Sequence, residues 1–204
     1  MAAPSPLTRI PEPFAAVCAV LRSARSTPHV SVKEIPAPGR LAPYAVALGA
    51  EVRADPAFLA ASGDGIEELA TGRVVVLYDP SAPAEWGGVF RIVSYIRAEL
   101  EHELGNEAML GSVAWSWLTE ALENHDCDVR NAGGTTTRVL SESFGTLADR
   151  RATIDLELRA SWTPVIEEPE SVRDHLEAWV ELLSTVAGLP PLPEGVVALP
   201  GRRR

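Results

Sequence analysis

Two short stretches of the 204-residue chain combine residue types that could perform chemistry. NAGGTTTRV (131–139) could cradle a phosphate with its backbone amides, as glycine-rich loops do at helix N-termini. A loop of that kind also needs a lysine that reaches the outer phosphates, and this stretch has none. Thr-Thr-Thr-Arg-Val is a run of strand formers with poor helix propensity. We therefore predict that Asn131–Gly134 is a hairpin turn or strand entry, and that Thr135, Thr137 and Val139 share one face of the strand that follows.

The second stretch, His125-Asp126-Cys127-Asp128, is the densest cluster of reactive side chains. A thiolate beside a histidine could act as a nucleophile or metal ligand. The cluster follows a predicted helix, however, where a histidine commonly meets the last carbonyls and an aspartate begins a turn. We interpret it as a helix end. The sequence also lacks a Gly-x-Ser-x-Gly elbow, a His-Glu-x-x-His pair and a Walker lysine, so it predicts no catalytic residue, no metal ligand and no cofactor.

Polar residues on two predicted strands offer an alternative site. If they lie on an exposed sheet face, they could bind a small ligand or form an active site. The residues of this candidate ligand face are Thr137, Arg138, Glu157 and Arg159.

The tryptophans are candidates for a protein-interaction surface. Trp115 and Trp117 are 200° apart on a predicted helix, so they do not both point into one narrow core. Trp86 precedes a glycine pair and could attach a loop to the sheet. Core packing is the commonest role of such residues, but aromatic anchors are also enriched at interfaces. We take Trp86 and Trp115 as the candidate interaction surface.

The elements that position these residues predict an α+β fold with a mainly antiparallel sheet. Hydrophobic periodicity predicts four principal helices, at 12–25, 89–104, 107–124 and about 169–188. Alternation and turn residues predict strands at 29–35, 44–54, 73–80, 135–145 and 152–162. The strand-helix alternation of a parallel doubly wound sheet is absent. A short echo between AEVRA (50–54) and LELRA (156–160) suggests a degenerate internal αβββα duplication.

Composition narrows the class of protein and its partners. The net charge is −10, with 28 acidic and 18 basic residues, which makes nucleic-acid binding unfavourable. Two cysteines are too few for a disulfide framework, and no signal peptide or membrane-spanning stretch is visible. We therefore expect a cytoplasmic protein that does not bind membranes. The expected organisation is a flexible arm (1–11), a single α+β domain (12–189) and a Pro/Arg-rich tail (190–204).

Several segments resemble a known family. They are EWGGVFRIVSYIRAELE (85–101), VAWSWLTEAL (113–122), SFG (143–145) and LELRASWTP (156–164). Together they are similar to an uncharacterised actinobacterial family, domain of unknown function number 3000, from about Phe14 to Leu189. The resemblance implies no activity, cofactor or site residue.

The sequence therefore favours a non-catalytic binding or protein-interaction domain, with an unknown protein partner or a second copy of itself. The alternative is a small-ligand-binding protein or enzyme that uses the exposed sheet face.

Overall fold

The computed structural model describes residues 10–23, 26–27, 29–54, 68–100, 109–150 and 152–189. These residues form three α-helices and six β-strands. In chain order they are α1 (Glu12–Arg22), β1 (Val30–Ile35), β2 (Tyr44–Arg53), β3 (Glu68–Tyr78), β4 (Phe90–Leu100), α2 (Leu110–Asn124), β5 (Val129–Ser141), β6 (Thr153–Pro164) and α3 (Val172–Val186). Short 3-10 turns occupy Gly145–Leu147 and Pro169–Ser171.

The six strands form one antiparallel sheet in the order β1-β2-β3-β4-β6-β5. The first four strands follow one another as a meander. After α2, the chain returns to the far edge as β5, and β6 then fills the gap between β4 and β5. The two edges of the sheet are therefore β1 and β5, and the predicted α+β antiparallel class is confirmed.

All three helices pack on one face of the sheet, which we call the helix face. The main core lies there, and Trp162 and Trp179 are both fully buried in it. The indole Nε1 of Trp179 donates to Ser94 Oγ at 2.9 Å across the helix–sheet interface. Gly72 permits this approach, because a Cβ added there would lie 2.7 Å from Trp179 Cζ2.

The opposite face, which we call the open face, carries no helix of the described residues. A small apolar cluster covers one end of it, built on Ala47, Val75 and Leu77 and joined by Trp86 and Val93. The rest of the open face is polar and charged.

The predicted helix at 89–104 is wrong, because residues 90–100 form β4 and residues 101–108 lie outside the described residues. Ile92 and Ile96 point to the helix face, whereas Val93 joins the apolar cluster on the open face. With both faces covered at this point, apolar residues lose strict alternation and match a helical period as well. The described residues therefore contain three α-helices instead of four.

The internal duplication is not supported, because the described strands divide into four before α2 and two after it. Of the two alternatives predicted for Asn131–Gly134, a hairpin turn or a strand entry, the hairpin turn is wrong, because β5 begins at Val129 and runs through both glycines. The prediction of an extended threonine-bearing strand is confirmed. Thr135, Thr137 and Val139 share the open face, opposite Arg159, Glu157 and Asp155 of β6.

The other predicted elements are confirmed with shifts of a few residues at their ends. Residues 1–9 of the predicted arm and the predicted tail at 190–204 lie outside the described residues.

Candidate interaction surface

Three residues of the candidate ligand face lie together on the open face. Thr137 stands opposite Glu157 in the β5–β6 register. Arg159 donates from Nη2 to Glu157 Oε2 at 2.8 Å, and its guanidinium carbon lies 5.5 Å from the centroid of the Tyr95 ring. Burial, followed by the Glu157 carboxylate, raises the pKa of Tyr95. These groups form an exposed polar ladder across strands β4, β6 and β5.

Arg138 does not join this ladder. It stands opposite Leu156, which is fully buried beneath the helices. Directly opposed residues of an antiparallel pair point to the same face, so Arg138 belongs to the helix face. The two arginines of the candidate ligand face therefore do not converge on one ligand.

A shallow recess of about 380 Å³ lies in the middle of the open face. Thr71, Gly72, Arg73 and Tyr95 line it. The recess borders the ladder, because Tyr95 belongs to both. Its hydroxyl and guanidinium groups are suited to an acidic group of a small molecule.

The loop between β3 and β4 is fastened to β5 by a network around Arg91. Arg91 Nη1 donates to the Asn131 carbonyl at 2.8 Å and to Thr163 Oγ1 at 3.0 Å, and Nη2 donates to Ser161 Oγ at 2.6 Å. Burial lowers the pKa of this guanidinium. Asn131 Nδ2 in turn donates to the Trp86 carbonyl at 2.9 Å. The network holds Trp86 against the open-face apolar cluster.

Asn131 also forms a β-bulge, which explains why the glycine stretch resembles a turn. Its φ is 50°, and the register between β5 and β6 shifts between Arg130 and Gly133. A bulge whose first residue is left-handed usually holds glycine there, and asparagine is one of the few other residues that tolerate this conformation. The strand bends at this point and continues.

The two candidate tryptophans are partly buried. Trp86 packs on the open-face cluster, and Trp115 packs against the main core. Trp115 lies over Gly134, where an added Cβ would be 2.9 Å from Trp115 Cζ3 and 2.5 Å from the Arg159 carbonyl oxygen. Gly134 therefore allows β5, β6 and α2 to approach one another.

The His125–Asp128 cluster forms a turn after α2, as the sequence predicts. Burial and nearby carboxylates, Asp174 foremost, raise the pKa of Cys127 to about 12. Such a thiol stays protonated at neutral pH, whereas the thiolate is the reactive form. In the described part of the chain, no three His, Cys, Asp or Glu side chains are placed to hold a metal ion.

A small recess of about 120 Å³ beside this turn contains His175. This side chain is 3% exposed, and its Nδ1 has no hydrogen-bond partner among the described residues. Burial lowers the pKa of His175 to about 4, so the ring is neutral at physiological pH.

Large apolar side chains are exposed mainly at one corner of the molecule. Eight are exposed among the described residues, and six of them lie between residues 109 and 147. We call these six the apolar corner: Met109, Val113, Val139, Leu140, Phe144 and Leu147. Phe144 is 77% exposed and Met109 68%. The sequence does not predict this surface, because the exposure of these side chains depends on the position of β5 at the edge of the sheet.

The apolar corner includes residues at the start of α2, in the last half of β5 and in the segment that follows β5. Gly111, in the first turn of α2, lies over Thr136, since an added Cβ would be 2.6 Å from Thr136 Oγ1. Leu140 is four residues further along the same face of β5, which corresponds to about 13 Å of strand. Across the described residues, no loop or helix bonds to the outward backbone groups of Gly133–Thr137. An open strand edge therefore runs beside exposed apolar side chains.

The fold and this surface define an antiparallel α+β protein with helices on one face and one open edge. The family model for the protein of unknown function DUF3000 matches residues 10–197, nearly the whole chain, so the chain belongs to this family. This confirms the resemblance seen in the sequence. Comparison with curated proteins and with solved structures gives no match. Within the described residues, no helix has the length and apolar character needed to cross a membrane.

Proposed function

We propose that this chain is a protein-interaction domain that binds its partner along β5 and the apolar corner. The observation that carries the proposal is the concentration of exposed apolar side chains: six of the eight lie within residues 109–147, the part of the chain that contains α2 and this edge strand. Contiguous apolar surface on a folded protein is typical of an interaction site, whereas scattered single residues are not.

The backbone and the side chains of this surface support the same mode of binding. An edge strand offers a row of N–H and C=O groups to which an extended segment can add as a further strand. Apolar side chains beside the edge then contribute roughly 25 cal/mol for each Å² removed from water. Hydrogen bonds would hold the added strand, and the apolar corner would supply affinity.

Site-specific photo-crosslinking tests this proposal. Benzoylphenylalanine replaces Phe144 in one variant and Leu41, which is 52% exposed and outside the apolar corner, in a matched control. In cells that produce the protein, we expect a crosslinked adduct from position 144 and much less from position 41. Equal yields at both positions, or no adduct at 144, would contradict the proposal.

A second substitution distinguishes specific binding at the apolar corner from crosslinking that arises by random collision. Leu140→Lys places a charge in the apolar corner on a side chain that is 50% exposed. The adduct from position 144 should fall at least fivefold while the melting temperature stays within about 2 °C of the parent. An unchanged adduct would show that the apolar corner takes no part in binding.

The recess on the open face supports a second candidate function, binding of a small acidic molecule. Arg73 lines the recess, and among the described residues no carboxylate lies within ion-pair distance of it. Inorganic phosphate and citrate are suitable probes in a thermal-shift assay. Stabilisation that disappears in Arg73→Gln but persists in Arg22→Gln, an exposed arginine paired with Glu34, would support this candidate. Equal loss of stabilisation in both variants would indicate that the anions screen surface charges in general and do not bind in the recess.

A further inference from the structure

We infer that the partner at the β5 edge is a second copy of this chain, joined by antiparallel β5–β5 pairing around a two-fold axis. The inference rests on the proposed function, because it names the partner of the same surface. It follows from three features: the difference between the two sheet edges, the sequence of β5, and the groove above Gly134.

Most of the β1 edge is occupied by the chain that precedes it. Ser26 Oγ accepts from the Val32 amide at 2.9 Å. Thr27 donates its amide to the Val30 carbonyl at 2.9 Å and accepts from the Val30 amide through Oγ1 at 3.0 Å. The outward backbone groups of Val30 and Val32, which make up most of the β1 edge, are thus occupied. Within the described residues, the longer open run of outward backbone groups lies on β5, at Gly133–Thr137.

The longer open edge determines how copies can associate. Pairing between two different edges produces chains of subunits, whereas pairing of an edge with itself closes as a two-fold dimer. Because most of the β1 edge is occupied, β5 pairs over its greatest length with the β5 of another copy among the edges described. The expected assembly is therefore a dimer with a continuous sheet of twelve strands.

The sequence of β5 is compatible with pairing to itself. Beyond the bulge, Gly133–Ser141 contains one charge, that of Arg138. An axis at Thr137, the midpoint, pairs all nine residues and places Arg138 opposite Thr136. An axis at Arg138 would pair only seven of these nine residues with one another, and would bring two large arginine side chains directly opposite each other. We therefore assign the axis to Thr137.

In this register, Leu140 of the apolar corner also meets an apolar side chain of the second copy. With the axis at Thr137, Leu140 stands opposite Gly134 of the second copy, on the helix face. Gly134 has no side chain, and the half-buried Trp115 ring lies above it. Leu140 of one copy would cover the Trp115 ring of the other, and the two-fold axis would repeat this contact. Cross-strand apolar cover of a glycine in this way stabilises β pairs.

Sedimentation equilibrium of the full chain tests the assembly. We expect twice the chain mass of 21.8 kDa for the wild type. Leu140→Lys should give the single-chain mass, whereas Leu41→Lys, a control with equal exposure, should remain a dimer. A wild type that has the single-chain mass at every concentration up to about 100 μM would overturn the inference.

Cysteine crosslinking tests the axis and does not depend on how Leu140→Lys folds. Opposed residues of an antiparallel pair have Cα atoms about 4.5–5.5 Å apart, within the range of a disulfide. Thr137→Cys should therefore form a covalent dimer under mild oxidation. Ser31→Cys, exposed on the β1 edge, should not. Wild-type protein gives the background, which should be low because Cys18 is buried and Cys127 is half-buried.

The two proposals can fail separately. If position 144 captures a different protein while the wild type sediments as a single chain, the interaction domain stands and the self-association is wrong. If the wild type is a dimer but Thr137→Cys and Ser31→Cys crosslink equally, the dimer uses another surface and the inference is wrong. If position 144 captures nothing and the wild type sediments as a single chain, both fail.

Discussion

The two faces of the sheet differ in what they contribute. The helix face carries a continuous core in which side chains such as Leu158 and Trp179 are fully or almost fully removed from water. The open face has a small cluster at one end and a ladder of exposed ion pairs elsewhere, such as Arg159 with Glu157. We therefore expect the stability of the fold to depend mainly on the helix face.

The largest difference should appear between two consecutive residues of β6. Leu158 is 1% exposed on the helix face, so Leu158→Ala should lower the free energy of unfolding by about 2–5 kcal/mol. The Arg159 side chain is 61% exposed on the open face, so Arg159→Ala should cost less than about 1 kcal/mol. Urea denaturation measures both. Equal losses would show that the open face also supports the fold.

Burial of an ionisable side chain on the helix side should produce a pH dependence. His175 has a pKa of about 4 in the folded chain and an ordinary value of 6.5. As the pH falls, His175 therefore takes up its proton at a higher pH in the unfolded chain than in the folded chain. The free energy of unfolding is at its full value above pH 6.5 and decreases as the pH drops towards 4. The loss should reach about 3 kcal/mol.

A variant isolates this contribution from the carboxylates that titrate in the same range. Between pH 7 and pH 4, the wild type should lose about 3 kcal/mol more than His175→Gln, which does not titrate. Parallel curves for the two proteins would mean that His175 is accessible to protons in the folded state.

Substitutions at two adjacent glycines of β5 should show a smaller difference in stability between the helix face and the open face. Gly134→Ala adds a methyl group against Trp115 and the β6 backbone, and should cost about 1–3 kcal/mol. Gly133 faces the open side with nothing within 4 Å of an added Cβ, so Gly133→Ala should be neutral or stabilise slightly. Thermal melts of the two variants are the measurement, and similar melting temperatures would contradict the packing of α2 on β5.

The smallest effect is expected for an ion pair of the open face. Arg97 donates to Asp155 Oδ1 at 3.0 Å, but its side chain is 54% exposed. Arg97→Ala should therefore change the free energy of unfolding by less than about 1 kcal/mol, and by still less in 0.5 M salt. A larger loss that persists in salt would show that this pair is shielded from water.

Much of the fold could be predicted from sequence because most elements have one buried face. The alternation in β6 and the stripe of α3 are clear for this reason. The sequence predicts a helix in place of β4 because Val93 is covered on the open face while its neighbours are covered on the helix face. The pattern then no longer distinguishes strand from helix.

The candidate interaction surface could not be predicted in the same way. Leu140 and Phe144 look like interior residues in a strand-like sequence, and their exposure depends on β5 being at an edge. The strand order depends on the chain passing from β4 to the far edge as β5 before β6 fills the gap between them. No local sequence pattern predicts this path. The four residues of the candidate ligand face do not all lie on one face for a related reason. Arg138 and Arg159 lie on adjacent strands but point to opposite faces of the sheet.

The position of α3 at the end of the described chain affects biosynthesis. Trp179 and Leu183 fill the space above Gly72, yet they leave the ribosome about 100 residues after it. During translation the middle of the sheet therefore lacks the cover of α3, and nascent chains would expose the apolar side chains of these strands to water. Premature termination before residue 179 should leave a product that depends on chaperones or is degraded.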